Sequence, residues 1–191
     1  AKTYLSLVDA TQVYSGLAVI PNDLATIHSI LIASDASNAT IGYNLGVALK
    51  PKKPPNTEIT QDNQMGQTHM RLVSHYSKSL EKHILNAQIG CKEVIAAVMA
   101  LTLEEPLLSL LIDKPKFLLI DNSVLVGLLE QLEDSSHLAN HFLAHPDFRS
   151  WVEKLYILVK KYNIIVLLVS SAMQIADPIS RAKNNVPVKK I

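Results

Sequence analysis

The sequence predicts an α/β domain built on one mixed five-stranded sheet flanked by helices. Strand-sized apolar runs occur at 27–34, 41–49, 69–76, 116–120 and 164–169. Amphipathic stretches with helical spacing separate the later runs, giving the order βββ-α-β-α-α-β-α. Three strands in succession, then strands alternating with helices, imply a single sheet covered by helices.

Residues 3–20 carry Leu5, Val8, Val13, Leu17 and Val19 and stop at Pro21-Asn22-Asp23, which reads as a short helix or ordered lead-in. Residues 27–34 form a buried strand that delivers Asp35 at its end, and a short polar connector at 36–40 leads to the second strand as in a hairpin. Residues 50–68 open with Lys50-Pro51-Lys52-Lys53-Pro54-Pro55 and stay polar, so they read as a long specialised loop before the third strand. A helix is expected from about Ile84, because Ala87, Cys91, Val94, Val98 and Leu101 recur at helical intervals, and Pro106 should end or kink it. The fourth strand, 116–120, ends in Asp121, and 123–132 reads as a short helix. Residues 134–147 are irregular and histidine-containing. Over 148–162, Trp151, Leu155, Leu158 and Val159 oppose Lys154, Lys160 and Lys161, which predicts an amphipathic helix with Trp151 and Tyr156 in the core. The last strand follows, and Asp177-Pro178 suits the first turn of a terminal helix. The domain is expected over 25–185, with 1–24 a lead-in that could be the remnant of a preceding polymerase or connection region, and 186–191 a flexible tail.

Composition narrows the function. With 48% hydrophobic and 18% charged residues, the chain has ample material for a core. Eighteen basic against seventeen acidic residues leave a net charge of +1, so nucleic-acid binding must come from local clusters or bound metal. Cys91 is the single cysteine, which excludes an internal disulfide and a cysteine-based zinc site and suits a reducing compartment. No run is long enough to span a membrane, and the N-terminus lacks the pattern of a signal peptide. A first residue other than methionine suits a piece cut from a longer polyprotein.

Two strands end in an aspartate, and functional groups of α/β sheets gather at strand ends, so Asp35 and Asp121 could lie side by side. Each could equally be a helix cap; Asp121 does precede a helical stretch. Glu93 tips the balance. Its helical stripe is Asn86, Ile89, Gly90, Ala96, Ala97 and Ala100, small or apolar for the most part, where a surface glutamate would have charged neighbours. A carboxylate packed on such a stripe needs a partner, and a metal ion is one. Lys92 is adjacent but points in another direction on the helix.

The run Ser34-Asp35-Ala36-Ser37-Asn38-Ala39-Thr40-Ile41-Gly42, then Tyr76-Ser77-Lys78-Ser79-Leu80, Lys92-Glu93-Val94-Ile95-Ala96, Ile120-Asp121 and Ala176-Asp177-Pro178-Ile179-Ser180-Arg181 together resemble the RNase H domain of LTR retroelement polymerases, nearest the gypsy type. The resemblance covers about 27–182. It implies an RNase H-like fold and a metal-dependent endoribonuclease that cleaves the RNA strand of RNA–DNA hybrids during reverse transcription. Asp35, Glu93, Asp121 and Asp177 would be the catalytic, metal-binding set, holding two Mg2+ ions that Mn2+ could replace. Magnesium favours hard oxygen ligands and keeps several waters, so few carboxylates suffice, and two ions roughly 4 Å apart can activate a water and stabilise the departing 3′ oxygen. Ser37, Asn38, Ser77 and Lys78 would contact substrate, although turn chemistry explains Ser37 and Asn38 as well. The resemblance also implies a reverse transcriptase domain of the same polyprotein as partner, no membrane, and a place in a cytoplasmic virus-like particle or replication complex, or in the nucleus. The chain departs from the family at Ser170-Ser171-Ala172-Met173-Gln174, where a glycine-bearing turn or a histidine loop is usual, at Asn122-Ser123, where a histidine is preferred, and in its long 50–68 segment.

His137, His141 and His145 are spaced to line one helical face, but no acidic or thiol ligand accompanies them and Pro146 interrupts, so a solvated face is expected. Lys154, Lys160 and Lys161 could track a DNA backbone or form a solvated face. The rival function is a non-catalytic RNase H-like tether or interaction module of a polymerase complex. A third is a DNA-cutting nuclease of the same fold, such as an integrase or junction resolvase.

Overall fold

The computed structural model describes residues 24–50, 69–135 and 146–170. After a 3-10 turn at Leu24–Thr26 come strands β1 (Ile27–Ala36), β2 (Thr40–Leu49) and β3 (His69–Ser79). Helices α1 (Lys82–Leu85), α2 (Ile89–Leu103) and α3 (Glu105–Leu110) lead to β4 (Lys116–Ile120). Helices α4 (Ser123–Ser135) and α5 (Pro146–Lys161) precede β5 (Ile164–Leu168). The strands form one five-stranded sheet in the order β3-β2-β1-β4-β5. β1 pairs antiparallel with β2, and β2 with β3, whereas β4 is parallel to both β1 and β5. The mixed five-stranded sheet with flanking helices expected from the sequence is therefore present.

β1 is the central strand, which explains its continuous apolar run at 30–33: a strand covered on both faces has no reason to alternate. Ile27, Ile30, Ile32 and Ala33 are fully buried. The hairpin to β2 turns at Ser37, whose N–H donates to the Thr40 carbonyl at 2.8 Å, while its hydroxyl accepts from the Thr40 N–H at 3.1 Å. α2 packs on β1 and β2 and also against α5. Covered from two sides, it buries Val94, Ile95, Ala96, Ala97, Val98, Ala100 and Leu101, a wider arc than the single stripe read from the sequence.

The helix expected from Ile84 is broken. α1 ends at Asn86, and Gln88 is extended before α2 begins. Lys92 takes up an acceptor that the break frees. It is buried, and its ammonium donates to the Leu85 carbonyl at 2.8 Å, an acceptor that a continuous helix would have paired with a backbone N–H. α2 ends at Leu103, just ahead of Pro106 as expected, and Pro106 then lies in the first turn of α3, where no N–H is required. α4 runs to Ser135, beyond the expected end at 132. The turn after α5 contains Asn163, whose φ of 50° is the left-handed conformation that asparagine tolerates.

Glu104 and Lys116 are among the other polar residues held inside. Glu104, between α2 and α3, accepts a 2.7 Å hydrogen bond from the Tyr43 hydroxyl, and the Tyr43 ring stacks on Tyr76 at 5.7 Å. Lys116 lies buried at the start of β4 and donates to the carbonyls of Ile112 and Lys114, and burial holds its pKa down.

Candidate metal centre

Parallel pairing sets the site. β1 and β4 run in register with Ala33 opposite Leu119, so two residues further on Asp35 comes beside Asp121. Asp35 is within β1 and buried; Asp121 follows the last residue of β4 and is half-buried. α2 lies across β1 and carries Glu93 toward the pair. Carboxylate oxygens of Asp35, Glu93 and Asp121 all lie within 4.8 Å of one another. The stripe that carries Glu93 is as tight as its composition suggests, with Ala96, Ala97 and Ala100 fully buried.

Burial raises the Glu93 pKa, a hydrogen bond from Asn122 opposes the rise, and the negative charges of Asp121 and Asp35 add to it. Three acidic groups so close favour a cation among them. The donor set is all hard oxygen, which fits Mg2+ or Mn2+ and does not fit a metal that selects thiolate or imidazole. Asp35, Glu93 and Asp121 are thus the residues that could hold such an ion.

Asn122, which the sequence marked only as a departure from a preferred histidine, lies beside the carboxylates. Its Oδ1 accepts from the N–H groups of Val124 at 2.9 Å and Leu125 at 3.1 Å, so Asn122, and not Asp121, caps α4. Its Nδ2 donates to Oε2 of Glu93. Gly90 lies against this amide: a Cβ at position 90 would come within 3.4 Å of Nδ2. The signal available in sequence was an Asp-Asn pair before a helix, which offers two candidate caps and no way to choose.

The remaining expected residues fall in different places. Ser37 is engaged in the β1–β2 turn, its hydroxyl also 2.7 Å from that of Thr40. Asn38 is exposed in that turn, and its carbonyl accepts from Lys92 Nζ at 2.9 Å. Ser77 shares a cross-strand row with Gly42 and Asp35 but is buried, two strands from the aspartate. Lys78 is exposed and pairs with Glu81 at 3.2 Å. Lys160 and Lys161 form ion pairs with Glu133 and Glu105, each at 2.5 Å, and Lys154 lies over the Trp151 ring. Trp151 and Tyr156 are half-buried against the core. A cleft of about 370 Å3 bordered by Ile41, Leu80, Met99 and Trp151 is lined by none of the three carboxylates. Asp177, the histidines at 137, 141 and 145, the lead-in, the 51–68 segment and the tail lie outside the described residues. No helix among the described residues is long and apolar enough to cross a membrane.

No protein-family model matches the sequence, and no curated protein matches it. Solved structures do resemble it. The RNase H1 of the halophilic archaeon Halobacterium salinarum is 14% identical, with 83% of this chain and 98% of that one covered and a TM-score of 0.47. The N-terminal RNase H domain of a Mycobacterium tuberculosis protein, solved as a maltose-binding-protein fusion, is 15% identical over 79% of this chain and 95% of that one, with a TM-score of 0.45. The protease–reverse transcriptase of prototype foamy virus is 12% identical, with 91% of this chain covered but 23% of that one, and a TM-score of 0.49.

Proposed function

We propose that this chain is a metal-dependent endoribonuclease that cleaves the RNA strand of RNA–DNA hybrids, working beside a reverse transcriptase domain of the same polyprotein. The observation that carries the proposal is the meeting of Asp35, Glu93 and Asp121, from two neighbouring parallel strands and the helix across them, with their oxygens within 4.8 Å. Asp177, at the end of the sequence pattern, is proposed as the fourth ligand. Bound Mg2+ or Mn2+ would supply activation of the attacking water and stabilisation of the departing 3′ oxygen.

The protein's own contribution is placement. Asp35 is fixed by its pairing with Gly42 in the β1–β2 ladder, Asp121 by the tip of β4, and Glu93 by α2 and the Asn122 amide. The β1–β2 turn with Ser37 and Asn38 leaves the same end of β1, where an RNA strand could be read through its 2′-hydroxyls. The products would be a 5′ phosphate and a 3′ hydroxyl.

The test is cleavage of an end-labelled RNA–DNA hybrid by the 191-residue chain with and without Mg2+, beside duplex DNA. Metal-dependent loss of the RNA strand alone is expected, and Asp35→Asn should abolish it while the protein stays folded. Retained cleavage in that variant contradicts the site; cutting of duplex DNA points to a DNA nuclease of the same fold. A folded chain with neither cleavage nor a metal-dependent melting shift is a tether.

A further inference from the structure

We infer that Asn122 is a positioning residue for the metal centre: one side-chain amide both caps the start of α4 and aims the Glu93 carboxylate at Asp35 and Asp121. The inference rests on the proposed metal-dependent reading of that cluster and adds a residue to it.

The geometry leaves the amide no choice of orientation. A capping asparagine must turn its oxygen to the helix, because only the oxygen can accept the N–H groups of Val124 and Leu125. Its NH2 group is then presented on the other side, and there it meets Oε2 of Glu93. The same two backbone bonds that start α4 therefore fix a donor toward a carboxylate on another helix. Asn122 directly follows Asp121, so its backbone is anchored by the strand end that carries the neighbouring ligand.

Glu93 needs such a guide. It is a half-buried side chain with three rotatable torsions on a helix, and both neighbouring carboxylates repel it. Without an ion, repulsion favours rotamers that swing it away from Asp35 and Asp121. The Asn122 amide resists that swing by bonding one oxygen, and a carboxylate has a second oxygen with which to ligate. Gly90 is part of the arrangement. A methyl there would already touch Nδ2, and a larger side chain would press on the amide from the α2 side. Groups that orient metal ligands from outside typically change metal affinity by about 10–100-fold when removed.

Two substitutions separate the two roles of the residue. Serine caps helices about as well as asparagine, but one hydroxyl on a shorter side chain cannot both cap and reach Glu93; alanine does neither. The experiment titrates the full chain with Mn2+ and with Mg2+ by calorimetry, and melts each protein without metal. Asn122→Ser should keep the metal-free melting temperature while metal affinity falls about 10–100-fold. Asn122→Ala should lose the same affinity and also melt lower. In hybrid cleavage, the metal concentration for half-maximal rate should rise in both variants, and saturating metal should restore most of the rate. Wild-type affinity in Asn122→Ser overturns the inference and leaves the carboxylate cluster standing. If the wild type itself takes up no metal, the proposed function and this inference fail together.

Discussion

Removing the charge of Glu93 should make the metal-free protein more stable while destroying its response to metal. Two unit charges 4.8 Å apart repel by about 0.9 kcal/mol in water and by about 3.5 kcal/mol at an effective dielectric constant near 20. Glu93 faces two such neighbours. It is only half-buried, and salt screens it, so the lower part of that range governs. Glu93→Gln keeps the shape and an acceptor for Asn122, and it should stabilise the metal-free fold by about 1–3 kcal/mol. For a chain of this size that is a rise in Tm of roughly 2–12 °C at pH 7. Since burial and the two aspartates raise the folded pKa of Glu93 above its ordinary value, its contribution to wild-type stability is complete below about pH 4.5 and lost as pH rises through the folded value. The two melting curves should therefore converge in acid and separate toward neutral pH. At a metal concentration about 100 times the dissociation constant, the wild type gains about 2.7 kcal/mol and the variant much less. Differential scanning calorimetry with and without Mn2+ reads all of this. A variant that melts below the metal-free wild type, or one that gains as much from Mn2+, refutes the reasoning.

Other expectations follow from groups held inside the fold. Tyr43→Phe takes one donor from buried Glu104 and should cost about 1–3 kcal/mol in urea denaturation, with a change below about 0.5 kcal/mol arguing against the bond. Lys92→Met removes two charge-assisted bonds, to Asn38 and Leu85, and should cost about 1.5–3 kcal/mol; amide exchange should quicken first at the β1–β2 turn and at the α1–α2 junction. His75, bonded to Asn44 and partly buried, has its pKa held below the ordinary value by burial. Its contribution to stability is full above the unfolded value of about 6.5 and is lost as pH falls through the folded one. His75→Gln should flatten that limb of the Tm–pH curve, and an unchanged limb assigns it to another group.

Much of the site was legible because sheet grammar is simple. An apolar run that ends in an acid, twice, places two carboxylates at the same end of a sheet when the strands are parallel neighbours. Glu93 announced itself by the poverty of its surroundings, a charged residue among alanines and a glycine. Asn122 could not be found this way. Asp and Asn are near-equal caps, and which of them takes the helix depends on where β4 stops and α4 starts to turn. The pairing of Asn122 with Glu93 depends on two helices approaching at Gly90, which no local pattern encodes. Lys92 was opaque for a related reason: a lysine beside a glutamate looks like surface, and only the break between α1 and α2 makes a carbonyl for it to bind. That break was hidden because the apolar spacing continues across it from Ala87 to Cys91. The lysines of α5 were legible as a basic face, whereas their partners, Glu133 and Glu105, come from other helices.

The three carboxylates are not equally adjustable. Asp35 belongs to the central strand and is still paired with Gly42 of β2, two residues past the end of the β1–β4 ladder, so its Cα is held along one edge. Asp121 sits where a ladder ends and has more latitude, and Glu93 rides on a helix that rests on the sheet through side chains alone. Any retuning of ion size or spacing would therefore be made more readily by sliding or tilting α2 over the sheet than by moving β1. Random substitutions that alter metal preference should accordingly concentrate where that helix meets its neighbours, and spare the middle of the sheet.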